Sequence, residues 1–148
     1  MDVIIQIITA FIGSLGFGMV FNVRYRHLIP AALSGMFTWM VYLATAKITG
    51  TIFLPSMLAS AFAAMYGEIL ARIRKTPANQ FLIIGLIPLV PGSTLYYMMS
   101  YAVQGDWVRS RWYGTQTVRY ALGIAVGISL VWAFWDMVKR ITERMKII

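Results

Sequence analysis

Cysteine is absent from the chain, which excludes disulfides and thiolate metal sites. One histidine and five carboxylates provide neither a metal cluster nor a nucleophile with its base, so no metal, cofactor or enzymatic activity is expected. Charge is equally scarce. With 12% charged against 59% hydrophobic residues, the chain has too little polar sequence to cover a water-facing core of 148 residues. No stretch alternates apolar and polar residues in the way barrel strands in an outer membrane require. The first apolar run lacks the basic flank and small-residue cleavage site of a signal peptide, so the first helix is expected to be retained.

What the chain has in quantity is apolar runs of about twenty residues, the length that crosses a ~30 Å hydrocarbon layer as a helix. They predict an all-α integral membrane domain over residues 1–148. Its bundle holds about five transmembrane helices, spanning roughly 3–23, 30–46, 52–71, 81–103 and 118–138. Pro30 and Pro55 fall in the expected first turns of the second and third spans, where a missing N–H costs nothing. His27 lies in the expected loop before Pro30 and is assigned no role. Asn22, closing the first span, is expected to hydrogen-bond across helices.

The net charge of +8 does not indicate nucleic acid, because the basic residues sit in short clusters between spans. Arg24, Arg26, Arg72, Arg74, Lys75, Lys139, Arg140, Arg144 and Lys146 fall on one side, against Lys47, Arg109, Arg111 and Arg119 on the other. Short basic loops stay in the cytoplasm, which predicts a multi-pass protein of the bacterial inner membrane with its N-terminus outside and its C-terminus inside. Trp107, Trp112 and Tyr113 in the expected outer loop, and Trp132 and Trp135 at the inner end of the fifth span, suit the two interfaces.

Helices in lipid associate through close packing of small residues, so small residues mark seams. The first span carries Gly13 and Gly18. The third carries Ala59, Ala63, Gly67 and Ala71 at four-residue spacing beside Ser56, Ser60 and Ala64. The fifth carries Gly123 and Gly127. Contacts within the chain and a docking face for another subunit are both open readings of these motifs.

The stretch Ile87-Pro88-Leu89-Val90-Pro91-Gly92-Ser93-Thr94 interrupts the fourth span. Pro88 and Pro91 cannot donate to the carbonyls of Ile84 and Ile87, and such carbonyls at membrane depth need other partners. Gly92 is expected to take a positive φ, and Ser93 or Thr94 to cap a second half-helix. That N-terminus would present free N–H groups to a carboxylate, as the broken helices of many transporters do, with Tyr96 adding a hydroxyl. A sealed proline kink is the competing reading. Glu68 is the one carboxylate well inside a span. It reads either as an i, i+4 ion pair with Arg72 or as a proton-coupling group. Asp136 is expected to pair with Lys139 or Arg140.

Gly16-Phe17-Gly18 with Phe21-Asn22, then Ala71-Arg72 and Thr76-Pro77-Ala78, then Pro88-Leu89-Val90-Pro91-Gly92, in this order, resemble the threonine/serine exporter family. More narrowly they resemble the small, second-half subunit of its split, two-chain form. The resemblance implies secondary export of small polar, zwitterionic or anionic metabolites, threonine and serine or a dicarboxylate such as succinate. It also implies a partner membrane subunit equivalent to the first half. Five spans per half would make the two halves enter the bilayer in opposite orientations, which suits the N-out topology. A non-transporting scaffold or regulatory subunit is the alternative.

Overall fold

The computed structural model describes residues 2–145, the last four as backbone only. Lys146 and the Arg144 side chain, part of the expected basic tail, lie outside them. The described chain is all α: α1 Val3–Val20, α2 Tyr25–Thr49, α3 Phe53–Arg74, α4 Asn79–Leu86, a 3-10 turn Ile87–Leu89, α5 Gly92–Val103 and α6 Trp107–Met145. α1, α2, α3 and α6 are each long and apolar enough to cross a membrane. The α4–α5 pair adds a fifth span if its two arms, bent by 50°, count as one. Ile4, Ile12 and Val20 on α1 are 71%, 61% and 77% exposed, a surface suited to lipid rather than water.

Several boundaries differ from the sequence expectation. α1 ends at Val20 because the chain reverses there: Asn22 adopts a left-handed φ of 54°, and the Val23 N–H reaches back to the Gly18 carbonyl at 3.0 Å. Asn22 therefore forms a helix stop instead of an interhelical bond. α2 starts at Tyr25, before Pro30, since this reversal leaves Tyr25–Ile29 free to wind helically. Pro30 lies inside the helix, and its carbonyl accepts the Tyr66 hydroxyl at 3.1 Å. α6 begins at Trp107, eleven residues before the expected Val118. Asp106 starts it by accepting the Arg109 N–H at 3.1 Å, so the expected outer loop is mostly helix.

α3 is the centre of the bundle and uses two faces. A Cβ added to Gly123 of α6 would lie 2.7 Å from the Phe53 carbonyl oxygen, and one on Gly127 3.0 Å from the Ala61 nitrogen. Farther along, the Arg72 guanidinium lies 4.2 Å over the Trp135 ring. The contacts advance together on both helices, so α3 and α6 run parallel. On the other face α4 runs antiparallel: a Cβ on Gly67 would meet the Leu82 nitrogen at 3.3 Å, and one on Gly85 the Ala63 Cβ at 3.4 Å. α1 and α2 form an antiparallel pair beside α4, with Gly18 against Leu28.

Arg24, Arg26, Arg72, Arg74, Lys75, Lys139 and Arg140 thus share one end of the bundle. At the opposite end α6 starts sixteen residues ahead of Gly123, so it runs about 24 Å past the beginning of α3. α5 packs antiparallel on this extension. Thr117 Oγ1 contacts Thr94 Oγ1 at 2.9 Å, and the Ser110 hydroxyl donates to the Met98 carbonyl at 2.9 Å. Tyr97, Tyr101 and Tyr113 stack between the two helices.

Candidate functional site

The break in the fourth span is the candidate site, and its backbone is closed. The Ile87 N–H donates to the Ile84 carbonyl, and the Val90 N–H to the Ile87 carbonyl at 3.3 Å. Both carbonyls stripped of helical partners by the prolines are therefore satisfied by tightening into a 3-10 turn. Pro91 follows with φ −76° and ψ 49°, and across it the Gly92 N–H bonds the Val90 carbonyl at 2.7 Å. This is an inverse γ-turn, and it provides the change of direction. Gly92 takes no positive φ, contrary to expectation, because Val90 and Pro91 carry the bend.

The expected caps do not form. The Thr94 hydroxyl donates back to the Pro91 carbonyl at 3.0 Å and receives the Thr117 hydroxyl, so it ties α5 to α6 instead of capping. Ser93 makes no side-chain hydrogen bond and is exposed. Tyr96 is 67% exposed, edge-on to Tyr97 at 5.5 Å. No residue of α5 is buried. The first free N–H groups of α5, those of Ser93 and Thr94, therefore do not open into this chain's own core.

The buried residue of the break is Leu89, and beside it stands the partly buried Pro88. Pro88 lines a groove of about 450 Å³ with Gln6, Thr9 and Ala10 of α1 and Trp39 of α2. The Thr9 hydroxyl turns back to the Ile5 carbonyl at 2.8 Å, and Gln6 and Trp39 are the other lining residues that carry polar atoms. Below the groove, Ser14 of α1 and Ser34 and Thr38 of α2 are fully buried with hydroxyls that find no protein partner. The structure thus brings Pro88 together with Gln6, Thr9 and Trp39, none of which the sequence singled out, and separates it from Gly92, Ser93 and Tyr96. A lone amide in an apolar run was the available signal for Gln6.

At the basic end, Glu68, Arg72, Lys75, Thr76 and Lys139 line an open cavity of about 630 Å³. No ion pair joins Glu68 to Arg72. Trp135 draws the guanidinium across to α6, where it stacks on the indole at 4.2 Å. Asp136 pairs with Lys139 at 3.9 Å. The small-residue motifs Gly18, Ala63, Gly67, Gly123 and Gly127 all meet helices of this same chain. Gly13 meets nothing within 4 Å of an added Cβ, because the α1 face that packs is the one bearing Ser14 and Gly18.

A family model described as Threonine/Serine exporter, ThrE matches residues 6–134. No curated protein and no solved structure matches the chain.

Proposed function

We propose that this chain, which belongs to the threonine/serine exporter family and is accordingly a multi-pass membrane protein of exporter type, is one subunit of a secondary transporter. Its cargo is a small polar metabolite, threonine, serine or a dicarboxylate such as succinate, and it works with a partner membrane subunit equivalent to the family's other half. The observation that carries this reading is the closed break at Pro88, which lines a groove with Gln6, Thr9 and Trp39 at the edge of a buried hydroxyl seam. Grooves of this size that combine apolar walls with a few convergent polar groups suit small solutes.

A partner subunit is supported by α5, which buries no residue in this chain yet carries free N–H groups at its start. Covered by a second subunit, that N-terminus becomes a site for a carboxylate. The basic end faces the cytoplasm of a bacterial inner membrane in this reading, because seven described Lys and Arg residues gather there. The scaffold alternative loses support from the small-residue faces, since Gly67, Gly123 and Gly127 are already occupied by helices of the same chain.

The test is release of labelled threonine, serine and succinate from cells with and without this chain, the partner being expressed in both. Release of one cargo that is lost without the chain, restored by re-expression and reduced in Gln6→Leu, supports the proposal. Unchanged release of all three, with the complex assembled, favours the scaffold.

A further inference from the structure

α3 and α6 run parallel into the basic end of the bundle, and their side chains change character in the same order on both helices. α3 passes from Met65 and Ile69 to Arg72 and Lys75, and α6 from Leu130, Val131, Phe134 and Trp135 to Lys139. The apolar members line a groove of about 300 Å³ along the pair, and the cationic ones line the open cavity of about 630 Å³ at the helix ends. Arg72 belongs to the cavity and Trp135 to the groove. Since the guanidinium lies 4.2 Å over the indole, the two hollows meet at this stack.

The shape of the cavity follows from the way α3 stops. Lys75 takes a left-handed φ of 51°, and the Thr76 N–H reaches back to the Ala71 carbonyl at 3.1 Å. This Schellman closure turns the chain toward Pro77 and leaves Lys75 exposed on the rim. The 22 residues of α3 span about 33 Å, so Arg72 and Lys75 stand at head-group height when the helix crosses a bilayer.

The charges on the wall are unequal. Arg72, Lys75 and Lys139 face one carboxylate, Glu68. Arg72 is stacked on Trp135, and a stacked guanidinium keeps its in-plane N–H groups for an acceptor. Lys139 is held by Asp136 at 3.9 Å, a pair in which both side chains are more than half exposed and which is therefore weak. Such a set suits an anion with several acceptor oxygens. A soluble anion would use the cavity alone. An anion that carries an acyl chain uses the groove as well, and its order of parts, chain and then phosphate, is the order in which both helices change from apolar to basic. Basic pockets between membrane helices hold the head groups of anionic lipids in this way.

We propose that the α3–α6 seam binds one anionic phospholipid of the phosphatidylglycerol type. Its phosphodiester is held by Arg72, Lys75 and Lys139, one acyl chain lies in the groove along Ile69, Phe134 and Trp135, and Glu68 accepts a hydroxyl of the glycerol head. A zwitterionic lipid is disfavoured, because its ammonium group would enter a surplus of positive charge. Binding needs neither cargo nor a partner subunit, so its outcome is separate from that of the transport reading.

The test is native mass spectrometry of the full chain, delipidated in mild detergent and titrated with dioleoyl phosphatidylglycerol, dioleoyl phosphatidylethanolamine or the soluble head glycerophosphoglycerol. Wild type retains one phosphatidylglycerol, about tenfold more tightly than phosphatidylethanolamine, and Lys75→Asn combined with Lys139→Gln removes about tenfold or more of that affinity. Asn accepts a left-handed φ, and both positions are exposed, so without lipid this variant should unfold like wild type. Ile69→Trp, which fills the groove from an exposed position, weakens phosphatidylglycerol several-fold and leaves the soluble head unaffected. Equal retention of the two lipids, or undiminished phosphatidylglycerol affinity in the lysine variant, overturns the proposal. Glycerophosphoglycerol bound as tightly as the lipid, with Ile69→Trp silent, would make the cavity a site for soluble phosphate and end the lipid reading. Loss of the lipid when the chain assembles with its partner or a second copy would show that protein covers the seam, and refutes it too.

Discussion

Gly127 of α6 lies against Ser60 of α3 so closely that any added side chain would run into the Ser60 hydroxyl and the Met57 carbonyl, with the Ala61 nitrogen at 3.0 Å. Two of these three groups are backbone and cannot turn aside. In lipid, where apolar transfer gives no drive for helices to meet, this approach of backbone to backbone is the source of cohesion.

Gly127→Leu should therefore destabilise the bundle by about 1–3 kcal/mol, the usual cost of overpacking a close contact. Thermal unfolding in detergent measures it. Gly13→Leu is the matched control, since Gly13 has open space around it and should unfold like wild type.

Gly92→Ala should be nearly silent for folding and assembly, because Gly92 has no positive φ and no neighbour within 4 Å of an added Cβ. Pro88→Ala should not be silent. A restored N–H at position 88 can donate to the Ile84 carbonyl and unwind the 3-10 turn into straight helix. Loss of most cargo release with normal complex yield is the expected result for Pro88→Ala, with retention for Gly92→Ala.

Glu68→Gln should change stability by no more than about 0.5 kcal/mol, as expected for a side chain in no ion pair among the described residues. Trp135→Leu, which removes the ring beneath the Arg72 guanidinium, should cost about 0.5–2 kcal/mol. Comparing the two variants by detergent unfolding identifies which partner of Arg72 matters; the opposite ranking would restore the i, i+4 pair.

Thr117→Val breaks the hydroxyl contact to Thr94 and leaves the Thr94–Pro91 bond in place. Interhelical hydrogen bonds in membranes are weak, so a loss of about 0.5–1 kcal/mol is expected. Because the contact holds α5 to α6, protease cleavage around Gly105 should rise before global unfolding does.

Hydropathy made the spans legible, since it reports the thickness of hydrocarbon a segment can cross. For the same reason it hid the first eleven residues of α6. Arg109, Arg111 and Gln116 end an apolar run, yet nothing in them ends a helix, and Asp106 was the better start signal. Pro88 and Pro91 made the break visible because each removes a donor; that the orphaned carbonyls would be re-paired by a 3-10 turn needed the neighbouring amides in three dimensions. The small residues announced seams without saying which helix each would meet. The burial of His27 was hidden because the helix was expected to begin at Pro30, which put His27 in a loop. Gln6 and Trp39 belong to one groove only through the pairing of α1 with α2.

The bend at Val90–Gly92 is held by one γ-turn, while the arms on either side are wound and hydrogen-bonded to their ends. Mechanically that makes α5 a lever with its fulcrum at Pro91. Its twelve residues give an arm of about 18 Å, so a rotation of roughly 10° at the fulcrum carries the tip about 3 Å. Because α5 is fastened to the extension of α6, the stroke would be transmitted to α6, and anything gripping the tip would acquire leverage over the Pro88 groove.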